Sequence, residues 1–327
     1  MTHTTISDLL LPFVTIIMPI RNEALYIEQR LTAVLQQDYP HDRMEVLIAD
    51  GMSTDMTRAR IAQVSRAHPD VALTVLNNPG QIVPTGFNTA LQHARGSVII
   101  RVDGHCEIAS DYVHRCVSVL NETGADNVGG LQRAKGTSWK SRAIALANRS
   151  PFGVGGARFH YATRSGWVDT VYLGAYRREV FDRIGGFDEE LVRNQDDEFN
   201  FRLTQAGGKI WLDPSIRSVY YSRATLRSLW RQYFQYGFYK VRVIQKRGAV
   251  PAWRHLVPAL FVLGLVGSLV SGLVTRRSRL AGIVGGPYLA ANLVASVHTA
   301  RHDWPALPII PLVFLILHLS YDSTEKR

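Results

Sequence analysis

The sequence predicts an α/β domain built on a mostly parallel sheet flanked by helices, with a C-terminal helical region in the membrane. Between Phe13 and Leu131, short β-branched runs alternate with helix-period segments. None of those runs shows the strict polar/apolar alternation of a sheet with one wet face, so the strands are expected to be covered on both sides. At the other end, Leu256 to Val274 holds 19 residues without a charge, and two further apolar runs follow, Leu280 to Val297 and Ala306 to Leu319. The first two meet or approach the length of a bilayer span, and the third is short.

In order along the chain, the expected strands are Val14 to Met18, Val46 to Ala49, Val71 to Leu76, Val98 to Val102 and Asn127 to Gly130. The apolar run from Leu9 to Ile20 could pass for a leader core. However, no Lys or Arg precedes it, and the charged residues Arg21 and Glu23 follow it in place of a small-residue cleavage site, so it reads as a buried strand. Ile27, Leu31, Val34 and Leu35 form one helical stripe, and Phe87, Leu91 and Ala94 form another, with Gly96 placed as its C-cap. From Gln132 to Asp213 the pattern is less regular and richer in Gly, as expected of loops that shape a pocket. Gly153 to Gly156 lacks the G-x-G-x-x-G spacing of a dinucleotide site, and no G-K-[ST] follows it; a flexible loop over a bound ligand is the expectation.

The formal charge of +10 is concentrated between Pro214 and His255, where nine Lys/Arg and no Asp/Glu occur. Leu226, Leu229, Trp230, Tyr233, Phe234, Gly237 and Phe238 recur there at helical steps, interleaved with Arg227, Arg231 and Lys240. A basic, aromatic helix that runs directly into apolar segments fits an anionic membrane surface, and no nucleic-acid-binding pattern accompanies it. Trp253, Trp304 and Tyr321 stand where interfacial anchors are expected. Arg276, Arg277 and Arg279 would favour the cytoplasm, whereas three spans would put them outside; a re-entrant first hairpin containing Pro258 removes the conflict. The expected division is a catalytic domain over 1–213, a basic interface region over 214–255 and a membrane region of about three apolar segments over 256–327. Two cysteines, Cys106 and Cys116, without CxxC spacing, point to a reducing compartment and no zinc framework.

Four polar patterns fall after expected strands or in the later loops: Pro19-Ile20-Arg21-Asn22-Glu23, Asp50-Gly51-Met52-Ser53-Thr54-Asp55, Asp103-Gly104-His105, and Asn194-Gln195-Asp196-Asp197-Glu198. Open α/β sheets bind ligands at the C-terminal ends of their strands. Each pattern alone is also compatible with ordinary turn and helix-cap chemistry.

In their order and spacing the four patterns resemble the inverting family 2 glycosyltransferases of GT-A fold, from about Val14 to Asp213. Gly174 to Phe187 and Arg231 to Gly237 are similar to the succinoglycan type, which extends polyprenyl-diphosphate-linked saccharides. The resemblance implies a nucleotide-sugar donor, foremost a UDP-sugar, held by Pro19, Arg21, Glu23, Asp50, Asn88 and Asp103. It implies a divalent ion, Mn²⁺ or Mg²⁺, at Asp103 and His105, with Asp196 as the catalytic base. Arg231 and Gln232 would meet a lipid-linked saccharide acceptor, in an inner-membrane enzyme whose catalytic domain faces the cytoplasm. His105 replaces the second acid of the family's D-x-D and suits Mn²⁺ better than Mg²⁺; Gln195 replaces a Glu. A polyprenyl-phosphate monosaccharide transferase and a non-catalytic donor-binding scaffold are the alternatives.

Overall fold

The computed structural model describes residues 11–249, 256–301 and 303–320. In chain order the elements begin with β1 (Val14–Ile20), α1 (Ile27–Leu35), β2 (Met44–Asp50), α2 (Thr57–Ala67), β3 (Ala72–Asn77), α3 (Val83–His93), β4 (Val98–Arg101), β5 (Cys106–Ile108), α4 (Tyr112–Thr123) and β6 (Asn127–Lys135). They continue with α5 (Trp139–Ala147), α6 (Pro151–Val154), β7 (Gly166–Val168), β8 (Tyr172–Arg177), α7 (Arg178–Ile184), α8 (Gln195–Gln205), β9 (Ile210–Tyr221), α9 (Leu226–Arg247), α10 (Val257–Thr275), α11 (Ser278–Ala300) and α12 (Ile310–Leu319). The chain forms two compact units, Met1–Arg133 with Ala162–Tyr220, and Ala134–Tyr161 with Tyr221–Arg327. Residues 134–161, expected within the catalytic domain, thus belong to the second unit.

The first unit is a mixed sheet in the order β3-β2-β1-β4-β8-β6-β9-β5, with β7 on β9. β3, β2, β1 and β4 run parallel, while β8 is antiparallel to β4 and to β6, and β5 and β7 are antiparallel to β9. β7, β8 and the start of β9 come from the stretch in which the strand and helix alternation fades. β1, β2 and β4 are buried along their whole length, which is why they read as mostly apolar runs without polar alternation. Two polar residues inside them are satisfied together: Thr15 Oγ1 donates to Glu45 (2.7 Å), while Glu45 accepts from Arg95 N (2.8 Å) and Arg95 Nε (2.7 Å). That network fixes the chain entering β4, where the expected role of Gly96 is corrected. α3 ends with Ala94 as its C-cap, and a Cβ on Gly96 would lie 2.5 Å from Thr15 N. Gly96 serves the close approach of two backbones. Cys106 and Cys116 are free and buried, and burial pushes the Cys106 thiol up to about 12.

In the second unit, Ala143, Ile144 and Ala147 of α5, Leu229 of α9, and Ile310, Val313, Phe314 and Leu317 of α12 share one core. The third apolar run is therefore a buried core helix of 10 residues, too short to span. α11 contains the second run but is interrupted by Pro287 and carries Asn292, whose amide donates to Pro311 O (3.1 Å). Only α10, among the described residues, is long and apolar enough to cross a membrane: it has 19 residues, and its most apolar 18-residue stretch has mean hydropathy 2.2 and is 6% buried. Leu263, Leu273 and Val274 are 66, 69 and 77% exposed on it. α9 opens with a capping box between Thr225 and Ser228. Its expected cationic face is corrected at one position, since Lys240 is buried with Leu229, Gly237 and Val243 on its inner side. Trp304 is exposed; Trp253, Arg254 and Tyr321 lie outside the described residues.

Candidate active site

The loops after β1 and β2 are laced together by backbone to side-chain bonds. Asn22, at φ 54°, donates from its N–H to Ser53 Oγ (2.9 Å), and its Oδ1 accepts from Thr54 N (2.9 Å). Glu23 N donates to Thr57 Oγ1 (2.8 Å), and Gly51 N donates to Ile20 O (2.8 Å). Asp50 has no exposed surface. Its oxygens accept from Ser53 N and Oγ and from Arg58 Nε, so it organises the turn and holds Arg58 at the rim. Pro19 lies within β1, paired with Ala49. Since Ile17 O accepts from Val102 N, the side of the strand on which Pro19 lacks a donor is the β4 side, and β4 has already ended there. Arg21 is exposed and Glu23 half-buried.

At the end of β4, Arg101 and Asp103 form a bidentate pair, Nε to Oδ1 2.8 Å and Nη2 to Oδ2 3.1 Å, with both residues buried. The remaining Nη1 lies 3.7 Å from Asp196 Oδ2. Burial alone would raise the Asp103 carboxyl, but Arg101, then His105 and Arg193, outweigh it and hold the group below the ordinary range. His105 Nδ1 is 3.6 Å from Glu23 Oε1, so the β1 and β4 loops meet there.

α8 begins after Asn194, in the left-handed region at φ 59°, and its first turn carries three successive carboxylates in which the helix N-terminus favours negative charge. The structure turns them to different partners. Asp196 faces Arg101, Asp197 accepts from Thr170 Oγ1 (3.3 Å), and the buried Glu198 pairs with Arg202 (2.6 Å). Arg202 in turn donates to Ile184 O and Gly186 O, fixing the loop before the helix. Withdrawal from water pushes the Asp196 carboxyl above the ordinary range; Arg101 opposes the shift, and the negative charge of Asp197 adds to it. Its side chain keeps 37% of its surface exposed, enough for a ligand to reach it.

Asn88 is occupied by that same loop. Its Nδ2 donates to Phe187 O (2.8 Å) and Glu189 Oε1 (2.9 Å), and its Oδ1 accepts from Phe187 N (2.8 Å). The structure therefore brings Asp103, Asp196, His105 and Glu23 together, and gives Asp50 and Asn88 partners within the fold. Arg231 and Gln232 lie on α9 in the second unit; Arg231 is exposed, while Gln232 bridges Arg223 (3.1 Å) and Tyr236 (2.8 Å). Gly153 belongs to α6, and a Cβ there would lie 2.3 Å from Ala147 O.

Among the described residues no three His, Cys, Asp or Glu groups converge on a metal position. Asp103 and His105 would supply two protein ligands to a divalent ion, whose other positions would be left to phosphate oxygens and water. Arg101 is the residue the sequence patterns passed over. A cation closing the apolar run of β4 was the available signal, because a buried charge demands a partner.

The sequence matches the family described as Glycosyl transferase family 2 over residues 15–185. The succinoglycan biosynthesis protein ExoA of Rhizobium meliloti (strain 1021) is 31% identical over 311 residues, covering 94% of this chain and 92% of that protein. A dolichyl N-acetyl-alpha-D-glucosaminyl phosphate 3-beta-D-2,3-diacetamido-2,3-dideoxy-beta-D-glucuronosyltransferase of Methanococcus voltae is 28% identical, covering 94% of this chain and 95% of its own length. Among solved structures, the mannosyltransferase PcManGT from Pyrobaculum calidifontis, in complex with GDP-Man and Mn²⁺, superposes with a TM-score of 0.62 at 21% identity over 95% of this chain and 88% of that one. TarS 1-349 of S. aureus, in complex with UDP, gives 0.51 at 17% identity, over 94% of this chain and 88% of its own. At these identities the likeness is one of fold.

Proposed function

Since the chain belongs to glycosyl transferase family 2 and is a glycosyltransferase of GT-A fold, we propose that it is anchored at the membrane and transfers a sugar, with inversion, to a polyprenyl-diphosphate-linked saccharide. The donor in this reading is a nucleotide-sugar, foremost a UDP-sugar, and the setting is synthesis of an exopolysaccharide or surface glycan at the inner membrane. The observation that carries the chemistry is the pair of carboxylates, Asp103 and Asp196, on either side of the Arg101 guanidinium at the C-terminal edge of the parallel strands. The exposed apolar surface of α10 supports the membrane, the dolichyl-linked sugar in the name of the Methanococcus voltae relative supports a lipid-linked acceptor, and the name of ExoA supports polysaccharide synthesis.

In this reading Asp196 accepts the proton of the acceptor hydroxyl, whose oxygen forms the new bond to the anomeric carbon as the bond to the diphosphate breaks on the opposite face. Asp196 is half-exposed and its proton affinity is raised, both of which suit a base. Arg21 and Glu23 border the donor, with Pro19, Asp50 and Asn88 shaping the loops that receive it. Asp103 and His105 would hold Mn²⁺ or Mg²⁺ with the donor's phosphates, where the ion neutralises charge on the leaving diphosphate. The test is release of nucleoside diphosphate by purified protein in the presence of polyprenyl-diphosphate saccharides, polyprenyl monophosphate, or no acceptor. Release that depends on the first is expected. Release only with the monophosphate would overturn the acceptor assignment.

A further inference from the structure

We propose that Arg101 is a positioning residue that sets the distance and orientation between the donor-side carboxylate, Asp103, and the base, Asp196; this rests on the assignment of Asp196 as base. A guanidinium offers donors in a rigid planar fork. One edge of that fork, Nε and Nη2, is used up by Asp103 at 2.8 and 3.1 Å, which fixes the plane of the group and leaves Nη1 aimed at Asp196, 3.7 Å away. The cation also lies over an aromatic ring. Cζ lies 5.9 Å from the centroid of the Phe187 ring, and that ring stacks on Phe87 at 4.3 Å. Phe187 is held by its backbone, through the paired bonds with Asn88. A buried cation gripped along one edge by a carboxylate and lying over an aromatic ring has little freedom, and the carboxylate it faces inherits that constraint.

Without the fork, no rigid group bridges Asp103 and Asp196, and the base swings away from the acceptor hydroxyl. Lysine does not replace it, because an ammonium is a point charge that cannot bond Asp103 twice and still face Asp196. The loss should fall on turnover, because a displacement of about 1 Å at reacting groups costs on the order of 10²-fold in rate.

The experiment compares Arg101→Lys, Phe187→Leu and Asp196→Asn, singly and as the Arg101→Lys/Asp196→Asn pair. Turnover is read with the donor and lipid acceptor that serve the parent best, binding by UDP titration, and folding by thermal melting. Arg101→Lys is expected to lower kcat on the order of 10²-fold, with the donor KM and UDP binding close to those of the parent. The double variant should be no slower than Asp196→Asn alone, since residues that act as a unit are not additive. Phe187→Leu keeps every charge and should lower kcat by a smaller factor, which preserves the test if Arg101→Lys does not fold. Parent-like kcat in a folded Arg101→Lys, losses that add in the double variant, or a change confined to donor KM would overturn the positioning role. Full turnover of Asp196→Asn by itself would overturn the base assignment on which that role depends, and is read separately.

Discussion

Asn88 and Phe187, 99 positions apart in sequence, are joined by two reciprocal hydrogen bonds of 2.8 Å, amide to carbonyl and N–H to amide oxygen. The closeness of the chains is shown by Gly186, where a Cβ would lie 2.4 Å from Asn88 Oδ1. A side chain expected at the donor is thus first a clamp between α3 and the loop that carries the Phe187 ring. Asn88→Ala leaves a main-chain N–H and C=O without partners, at a cost of about 1–3 kcal/mol. A lower Tm, with turnover falling as the loop loosens, is the expected result. An unchanged Tm with weaker UDP binding would instead return Asn88 to the donor.

The parallel half of the sheet was legible because β1, β2 and β4 are buried on both faces and so carry mostly apolar runs without polar alternation. In the antiparallel half only the start of β6 was. β5 and β7 are three residues each, and β8 starts inside a stretch read as loops, so no periodicity could separate strand from turn. At the candidate site the carboxylates were legible as motifs, but their partners were not. Asp50 is legible in sequence as a donor-side acid, but not the way Ser53 and Arg58 close around it. Three adjacent acids in α8 read alike, and only the fold turns Glu198 to Arg202 and Asp196 to Arg101.

For Asp196 the proposed role gives two linked expectations. Asp196→Asn keeps the shape but loses the proton acceptor, so turnover should drop roughly 10²- to 10⁴-fold with donor binding intact. In the parent only the deprotonated carboxylate works, so kcat declines as pH falls through its proton affinity. That affinity is raised, first by withdrawal from water, against Arg101, and further by Asp197. The acid limb of the kcat profile should therefore lie above the ordinary aspartate value of about 4. A limb at or below that value would assign the titration to another group.

His105 stands where an all-oxygen site would have a second acid, and a nitrogen ligand there favours Mn²⁺ over Mg²⁺. On the proposed metal site, chelation stops transfer, and His105→Asp shifts the ion that best restores it toward Mg²⁺. The measurement is turnover of chelator-treated parent and variant resupplied with each ion. Full activity after exhaustive chelation would remove the ion from the mechanism, and an unshifted preference would remove His105 from its ligands.

The last expectation concerns α9, where Trp230 and Arg231 are both exposed while Leu229 and Lys240 are buried. Tyr233, on the Leu229 side, donates to Asn148 Oδ1 (3.2 Å), so the aromatic stripe is divided between core and surface. The outer residues, Trp230, Arg231, Arg242 and Lys246, combine a ring suited to the headgroup layer with cations that each gain about 1 kcal/mol near an anionic surface. Gln232 is engaged by Arg223 and Tyr236, which leaves Arg231 the better candidate for the acceptor's diphosphate, an anion that a guanidinium can grip with two bonds. Arg231→Ala should raise the KM for the lipid-linked acceptor with little change in the donor KM. Replacing Arg242 should weaken binding to anionic vesicles while leaving the acceptor KM near that of the parent, because surface attraction is shared among several cations and a bidentate contact is not. An acceptor KM unmoved by Arg231→Ala in a folded protein would reduce α9 to a support beneath the second unit's core.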